Sequence, residues 1–192
     1  TFWKQVNEQI DVDDDDSHTT NRFPALRPDR FTCLRFLQAD KYDTDLAMKR
    51  LHANQVWLQT ANIPHLLQHP PLAALQIYRK LRARAYMGRT NGDEMPIFVE
   101  RLGDFMNAIP SPEGKTLTKD DFLRCFLYDL GQVLGQIRDN YSLTKDDPDT
   151  QTTWKAQWIM DANKMRLFRA TSATSTLQHL DAVTEPNFPE IA

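Results

Sequence analysis

The apolar residues of this chain keep two different periods, and the switch between them limits the folds open to it. From residue 31 to residue 61 they recur at helical spacing. Phe31, Leu34 and Leu37 come first, with Cys33 and Phe36 widening the face. The pattern fails at "ADKYD" and resumes with Leu46, Ala47, Leu51, Val56 and Trp57. Behind the turn signal Asn91-Gly92, the residues Ile97, Phe98 and Val99 form a short β-prone run. Helical spacing returns with Phe122, Phe126, Leu130, Val133 and Ile137, joined by Leu123, Leu127 and Leu134, and gives way again at "AQWIMD". An all-helical opening followed by strand, helix, strand, helix implies an α/β chain with a crossover between strands.

Local chemistry sets the expected boundaries. Pro28 suits the first turn of a helix. Asp43 is placed to cap the next, which runs to about Ala61, where the prolines of "IPHLLQHPP" end it. Trp57, Phe36 and Leu37 are expected to be buried in this corner. Thr118, with Asp120 and Asp121 behind it, opens a further helix. Strands are expected over 96–101 and 156–161, and a last helix over 167–183. Two strands alone make a poor sheet. The chain therefore reads as an acidic lead-in (1–24), a helical lobe (25–75) and an incomplete α/β domain (76–192).

Charge and cysteine usage exclude several functions. Lys and Arg number 23 against 26 Asp and Glu, a net charge of −3, which argues against a nucleic-acid binder. The two cysteines, Cys33 and Cys125, lie far apart and fit neither a disulfide framework nor a zinc pattern. A reducing, cytoplasmic setting is expected. No apolar run approaches the roughly 20 residues a membrane span needs, and the N-terminus lacks a signal-peptide layout. Membrane contact would be peripheral.

Candidate chemistry is sparse. The aspartates 13–16 resemble a solvated run more than a calcium loop, because no turn glycine accompanies them. His65 and His69 lie four apart, but no third ligand is near in sequence, so no metal is expected. Arg79, Lys80, Arg82, Arg84 and Arg89 crowd "IYRKLRARAYMGR". They form either the solvated side of a helix or a surface for anionic lipid headgroups. Ser172 and Ser175 lack a G-x-S-x-G elbow, and Asp161 has no histidine partner in a motif, so no catalysis is expected.

The succession "LRFLQADKYDTDLAMKRLHANQVWLQ", "NGDEMPIFVERLG", "WIMDANK" and "NFPEIA" resembles the CRAL-TRIO lipid-binding family over roughly residues 28–192. Arg35, Phe36, Leu37, Asp43, Ala47, Trp57, Pro96, Arg101, Gly103 and Asp161 occupy matching positions. The resemblance implies a helical lobe that supports a larger lobe. There, one hydrophobic ligand lies between a mixed sheet and its covering helices, closed by a gate helix. Family members carry phosphoinositides, phosphatidylcholine, tocopherol or retinal between membranes without covalent chemistry.

Carried onto this sequence, the resemblance implies ligand contacts from Phe98, Trp158 and Met160 on the strands. Leu167, Leu180 and Val183 join them, with Phe122 and Phe126 from a helix. It implies no cofactor, a lipid partner, transient membrane contact and protein partners through a longer parent chain. It also implies that further strands and the gate helix lie outside these residues. Bulk and charge at Met165, Arg166, Leu167 and Phe168 depart from the small hydroxyl residues of phospholipid-carrying members. The alternative within the family is a CRAL-TRIO-like scaffold or membrane-adaptor module of a regulatory protein.

Overall fold

A computed structural model describes residue 28 and residues 30–90, 95–144 and 156–188. The acidic lead-in falls outside them. The chain is mixed α/β, and its elements run α1 (Arg30–Ala39), α2 (Thr44–Thr60), α3 (Ile63–Gln68), α4 (Leu72–Leu81), β1 (Arg84–Arg89) and β2 (Pro96–Glu100). Then come α5 (Leu102–Ala108), a short 3₁₀ turn (Gly114–Thr116), α6 (Lys119–Thr144), β3 (Gln157–Met160) and α7 (Leu167–Asn187).

The α1–α2 corner is held by local polar chemistry around a small core. Lys41 and Tyr42 turn the chain at φ 54° and 66°, and the Tyr42 N–H donates to the Leu37 carbonyl at 2.8 Å. Asp43 caps α2 as its sequence position predicts: its Oδ1 accepts from the N–H of Asp45 (3.1 Å) and Leu46 (3.0 Å). Asp40 and Arg50 pair across the corner at 2.7 Å. Below them Cys33, Phe36, Ala47, Met48 and Leu51 form one buried cluster, with Leu37 only half-buried beside it.

Three local expectations are corrected. Leu46 and Val56 are 46% and 51% exposed, and the buried arc of α2 includes Asn54 and Gln55 instead. The cause is the neighbour: Asn54 Nδ2 donates to Asn187 Oδ1 (3.1 Å) at the end of α7, where Phe188 meets half-buried Trp57 edge-on at 5.8 Å. "IPHLLQ" forms α3 rather than only ending α2. Pro64 sits in its first turn, where a missing N–H costs no helical bond. The basic stretch is not one helix. Arg82 closes α4, and Arg84 begins a strand.

Among the described residues the sheet therefore has three strands in the order β1-β2-β3, not the two expected. Strand β1 runs antiparallel to β2 with Arg84 opposite Glu100, and its register shifts between Tyr86 and Gly88. Gly88 takes φ 102°, a conformation open to glycine at little cost. Strand β3 pairs parallel to β2, Phe98 opposite Trp158 and Glu100 opposite Met160, so α6 lies in the expected crossover. The sheet strands are slightly shorter than 96–101 and 156–161, and α7 extends to residue 187, beyond the expected 183.

Helix α6 organises the core. Its start is a reciprocal cap: the Asp121 N–H donates to Thr118 Oγ1 (3.0 Å), and Asp121 Oδ2 accepts from the Thr118 N–H (2.9 Å). These bonds to Thr118 hold the Asp121 carboxyl below its usual range. Leu127, Leu130, Val133, Leu134 and Ile137 pack with Phe98 and with Leu58, Leu66 and Leu67 of α2 and α3. A side chain on Gly131 would meet the Leu67 methyl at 2.7 Å, so glycine sets the approach of α3 to α6. A second cluster, centred on Tyr78, Phe105 and Phe122, fills the space under α4 and α5.

Candidate functional site

Strand parity decides which side chains leave the sheet toward α6 and α7. Phe98 and Glu100 alternate onto one face of β2, and Trp158 and Met160, opposite them on β3, share it. Between this face and the two helices lies a cavity of about 590 Å³. Helix α6 contributes Phe126, Leu130, Leu134 and Ile137 to its wall, and α7 contributes Leu177 and Leu180. Among the described residues three charged side chains also face it: Arg82, Glu100 and Asp181.

Arg82 and Glu100 are the unusual members, 7% and 3% exposed. Arg82 Nε donates to Glu100 Oε1 and Nη2 to Oε2, both at 2.7 Å. Arg82 Nη1 donates to the Tyr78 hydroxyl, and Trp158 Nε1 adds a third bond to the carboxylate at 3.1 Å. The guanidinium also lies 4.8 Å from the Phe126 ring centroid. Burial alone would favour the neutral form of Arg82, but Tyr78 and Glu100 outweigh it and raise its affinity for the proton. Burial pushes the Tyr78 hydroxyl up to about 12. The pair is thus a charged but internally neutralised spot in a mostly apolar wall.

A second carboxylate, Asp129, takes up two more of the clustered arginines: Arg84 Nη2 at 3.1 Å and Arg79 Nη2 at 3.3 Å. Burial, and then the charge of Arg82, hold the Arg84 guanidinium below its ordinary pKa. The expectation of basic residues along one solvated helix face is therefore overturned. Arg82 and Arg84 point inward because the helix breaks between Leu81 and Arg84 and the strand turns them toward Glu100 and Asp129.

Of the eight residues the resemblance singled out, Phe126, Trp158, Met160 and Leu180 line the cavity. Phe98 is packed instead among α6 and the rings of Tyr86 and Trp158, and Val183 packs against the same cluster. Phe122 belongs to the cluster under α4. These three are core rather than wall, Phe98 and Val183 in the cluster around α6 and Phe122 in the one under α4 and α5. Leu167 opens α7, and its side chain lies outside the described residues. Sequence reasoning missed Arg82 and Glu100. The available signal was parity: Glu100 stands two residues after Phe98 on the same strand face, and a carboxylate there needs a cation.

The other candidates have local roles. Asp161 Oδ1 accepts from the Asn163 N–H (2.8 Å) in the turn after β3. His65 and His69 bring their Nδ1 atoms to 3.1 Å on an exposed face, and no cluster of three or more potential metal ligands occurs among the described residues. Cys33 and Cys125 are buried, and burial pushes both thiols up to about 12. Arg166 precedes α7, its N–H donating to Asn107 Oδ1 at 3.3 Å, with Met165 44% exposed before it. Among the described residues no helix is long and apolar enough to cross a membrane.

No family model matches the chain, and no curated protein matches it.

Proposed function

We propose that this chain binds one lipid or other small hydrophobic molecule in the cavity between the sheet and α6–α7, and passes it between membranes without covalent chemistry. The observation that carries this reading is the cavity itself: about 590 Å³, walled chiefly by aliphatic and aromatic side chains. That size falls within the range of small-molecule sites, about 300–1,000 Å³. Removing a ligand's apolar surface from water stabilises the complex by roughly 25 cal/mol per Å². The order of the CRAL-TRIO-like motifs supports the same reading, since three of them fall on β2, on β3 and at the end of α7. Membrane contact in this reading is transient and confined to the surface, in a cytoplasmic setting.

Native mass spectrometry of the purified protein, in its longest natural form, tests the proposal. A single co-purifying hydrophobic molecule, released by organic extraction and taken up again from labelled vesicles, is the expected result. A folded protein that carries nothing and takes up nothing from vesicles of varied composition would overturn it and favour the scaffold or membrane-adaptor reading.

A further inference from the structure

We infer that the ligand's buried end is an uncharged oxygen group, such as a hydroxyl, aldehyde or ester, held by Arg82. This rests on the ligand-binding reading above. A guanidinium has five N–H donors. Glu100 takes two of those on Arg82 and the Tyr78 hydroxyl a third. The remaining two have no acceptor among the described residues, on a side chain that faces the cavity. An oxygen lone pair from a ligand completes them.

Charge decides what kind of oxygen that is. Among the described residues the cavity faces one cation, Arg82, and two carboxylates, Glu100 and Asp181, so that part of its wall sums to −1 rather than to a positive charge. Glu100 already neutralises Arg82 through two bonds at 2.7 Å. A ligand carboxylate or phosphate at Arg82 would be brought beside the Glu100 oxygens in a low-dielectric wall, where like charges repel strongly. A ligand amine is refused at the same place by Arg82 itself. Among the described residues it could meet Asp181, which is exposed and screened by water. A neutral acceptor meets neither penalty. A purely hydrocarbon ligand would leave the two N–H groups without the partner that buried donors require.

The test is displacement of the neutral dye Nile red by four dodecyl compounds: dodecanol, dodecanoate, dodecylamine and dodecane, above neutral pH where the acid is ionised. Dodecanol is expected to displace at the lowest concentration, by roughly ten-fold over dodecane, the scale of one bond to a charged donor. Dodecanoate and dodecylamine should fall behind dodecanol. The best displacement by either charged compound, or equal displacement by dodecanol and dodecane, would overturn the inference while leaving hydrophobic binding intact. Failure of all four, with the fold confirmed by circular dichroism, would remove the binding reading as well. Glu100→Gln gives a second readout, because it unmasks the Arg82 charge: dodecanoate should gain on dodecanol. An unchanged ranking in a folded Glu100→Gln protein would also overturn the inference. Should that variant fail to fold, the ranking on the natural protein decides.

Discussion

Arg82 and Glu100 form a two-pronged ion pair, both contacts at 2.7 Å, in the wall of a mostly apolar cavity. Such a pair is costly to break from one side. Arg82→Met would leave the Glu100 carboxylate buried without its cation, so we expect it to destabilise the fold by about 3–5 kcal/mol. Replacing both partners removes the stranded charge, although Tyr78 and Trp158 still lose a hydrogen-bond partner. The double variant Arg82→Met/Glu100→Leu should therefore be more stable than Arg82→Met alone. Urea unfolding of the three proteins checks the order.

How much of this was legible beforehand divides along one line. Asp43 and Thr118 cap their helices as the sequence predicts because a cap is decided within four residues. The stripe from Phe122 to Ile137 reads as a helix for the same local reason. The Arg82–Glu100 pair spans 18 positions and joins a helix end to the far side of a hairpin, which no window of sequence contains. Nor does "RARAYMGR" hold a proline or an early glycine to announce that α4 ends before Arg84. Pairing with β2 decides that. The cavity wall was legible only in part: strand alternation places Trp158 and Met160 together, whereas the depth at which α6 turns Phe122 away from Phe126 depends on packing against α4 and α5.

Phe36 and Trp57 were both expected to be buried in the helical corner, and the structure separates them. Phe36 is fully buried, while Trp57 is half-buried against Phe188. Phe36→Ala should cost about 3–5 kcal/mol, as for other buried aromatics, and Trp57→Ala about half as much. Equal shifts in the unfolding midpoint would show that Trp57 carries more of the contact between α2 and α7 than its exposure suggests.

Gly103 lies directly under the chain that leaves β3. Its N–H donates to the Asp161 carbonyl at 3.0 Å, and a Cβ there would collide with the backbone carbonyl oxygen of Asn163. Backbone cannot move aside as a flexible side chain can. Gly103→Ala should thus destabilise by about 1–3 kcal/mol, the usual cost of overpacking, despite alanine's better helix propensity. A stability equal to or above that of the natural protein would show that the 161–163 turn relaxes freely.

Alkaline pH should weaken the fold through three buried protons. The Cys33 and Cys125 thiols are raised from 9.0 to about 12, and the Tyr78 hydroxyl from 10.0 to about 12, burial being the main cause in each. Above pH 9 the unfolded chain releases these protons while the folded chain keeps them, so proton loss favours unfolding. Their contribution is fully present below about pH 9 and is lost as pH rises toward 12. Urea midpoints measured across that window should fall, and Cys125→Ser should flatten the first part of the decline. Both thiols should also resist Ellman's reagent until urea opens the protein.

Two methionines offer a test of the cavity that leaves the core untouched. Met160 on β3 is 60% exposed and lines the cavity, and Met87 on β1 is 63% exposed and does not. Either can take a charge at little cost to folding, because each already meets water. In the lipid-binding reading, Met160→Glu places a carboxylate on the cavity wall, where it desolvates against an apolar ligand. It should lower ligand loading roughly ten-fold or more, equivalent to about 1.4 kcal/mol or more. Met87→Glu should leave loading unchanged. The two proteins are compared by native mass spectrometry after incubation with the same vesicles, with thermal melts confirming that both are folded. Equal losses in the two would mean that the charge acts on membrane approach rather than in the cavity. No loss in Met160→Glu would place the ligand somewhere other than between β3, α6 and α7.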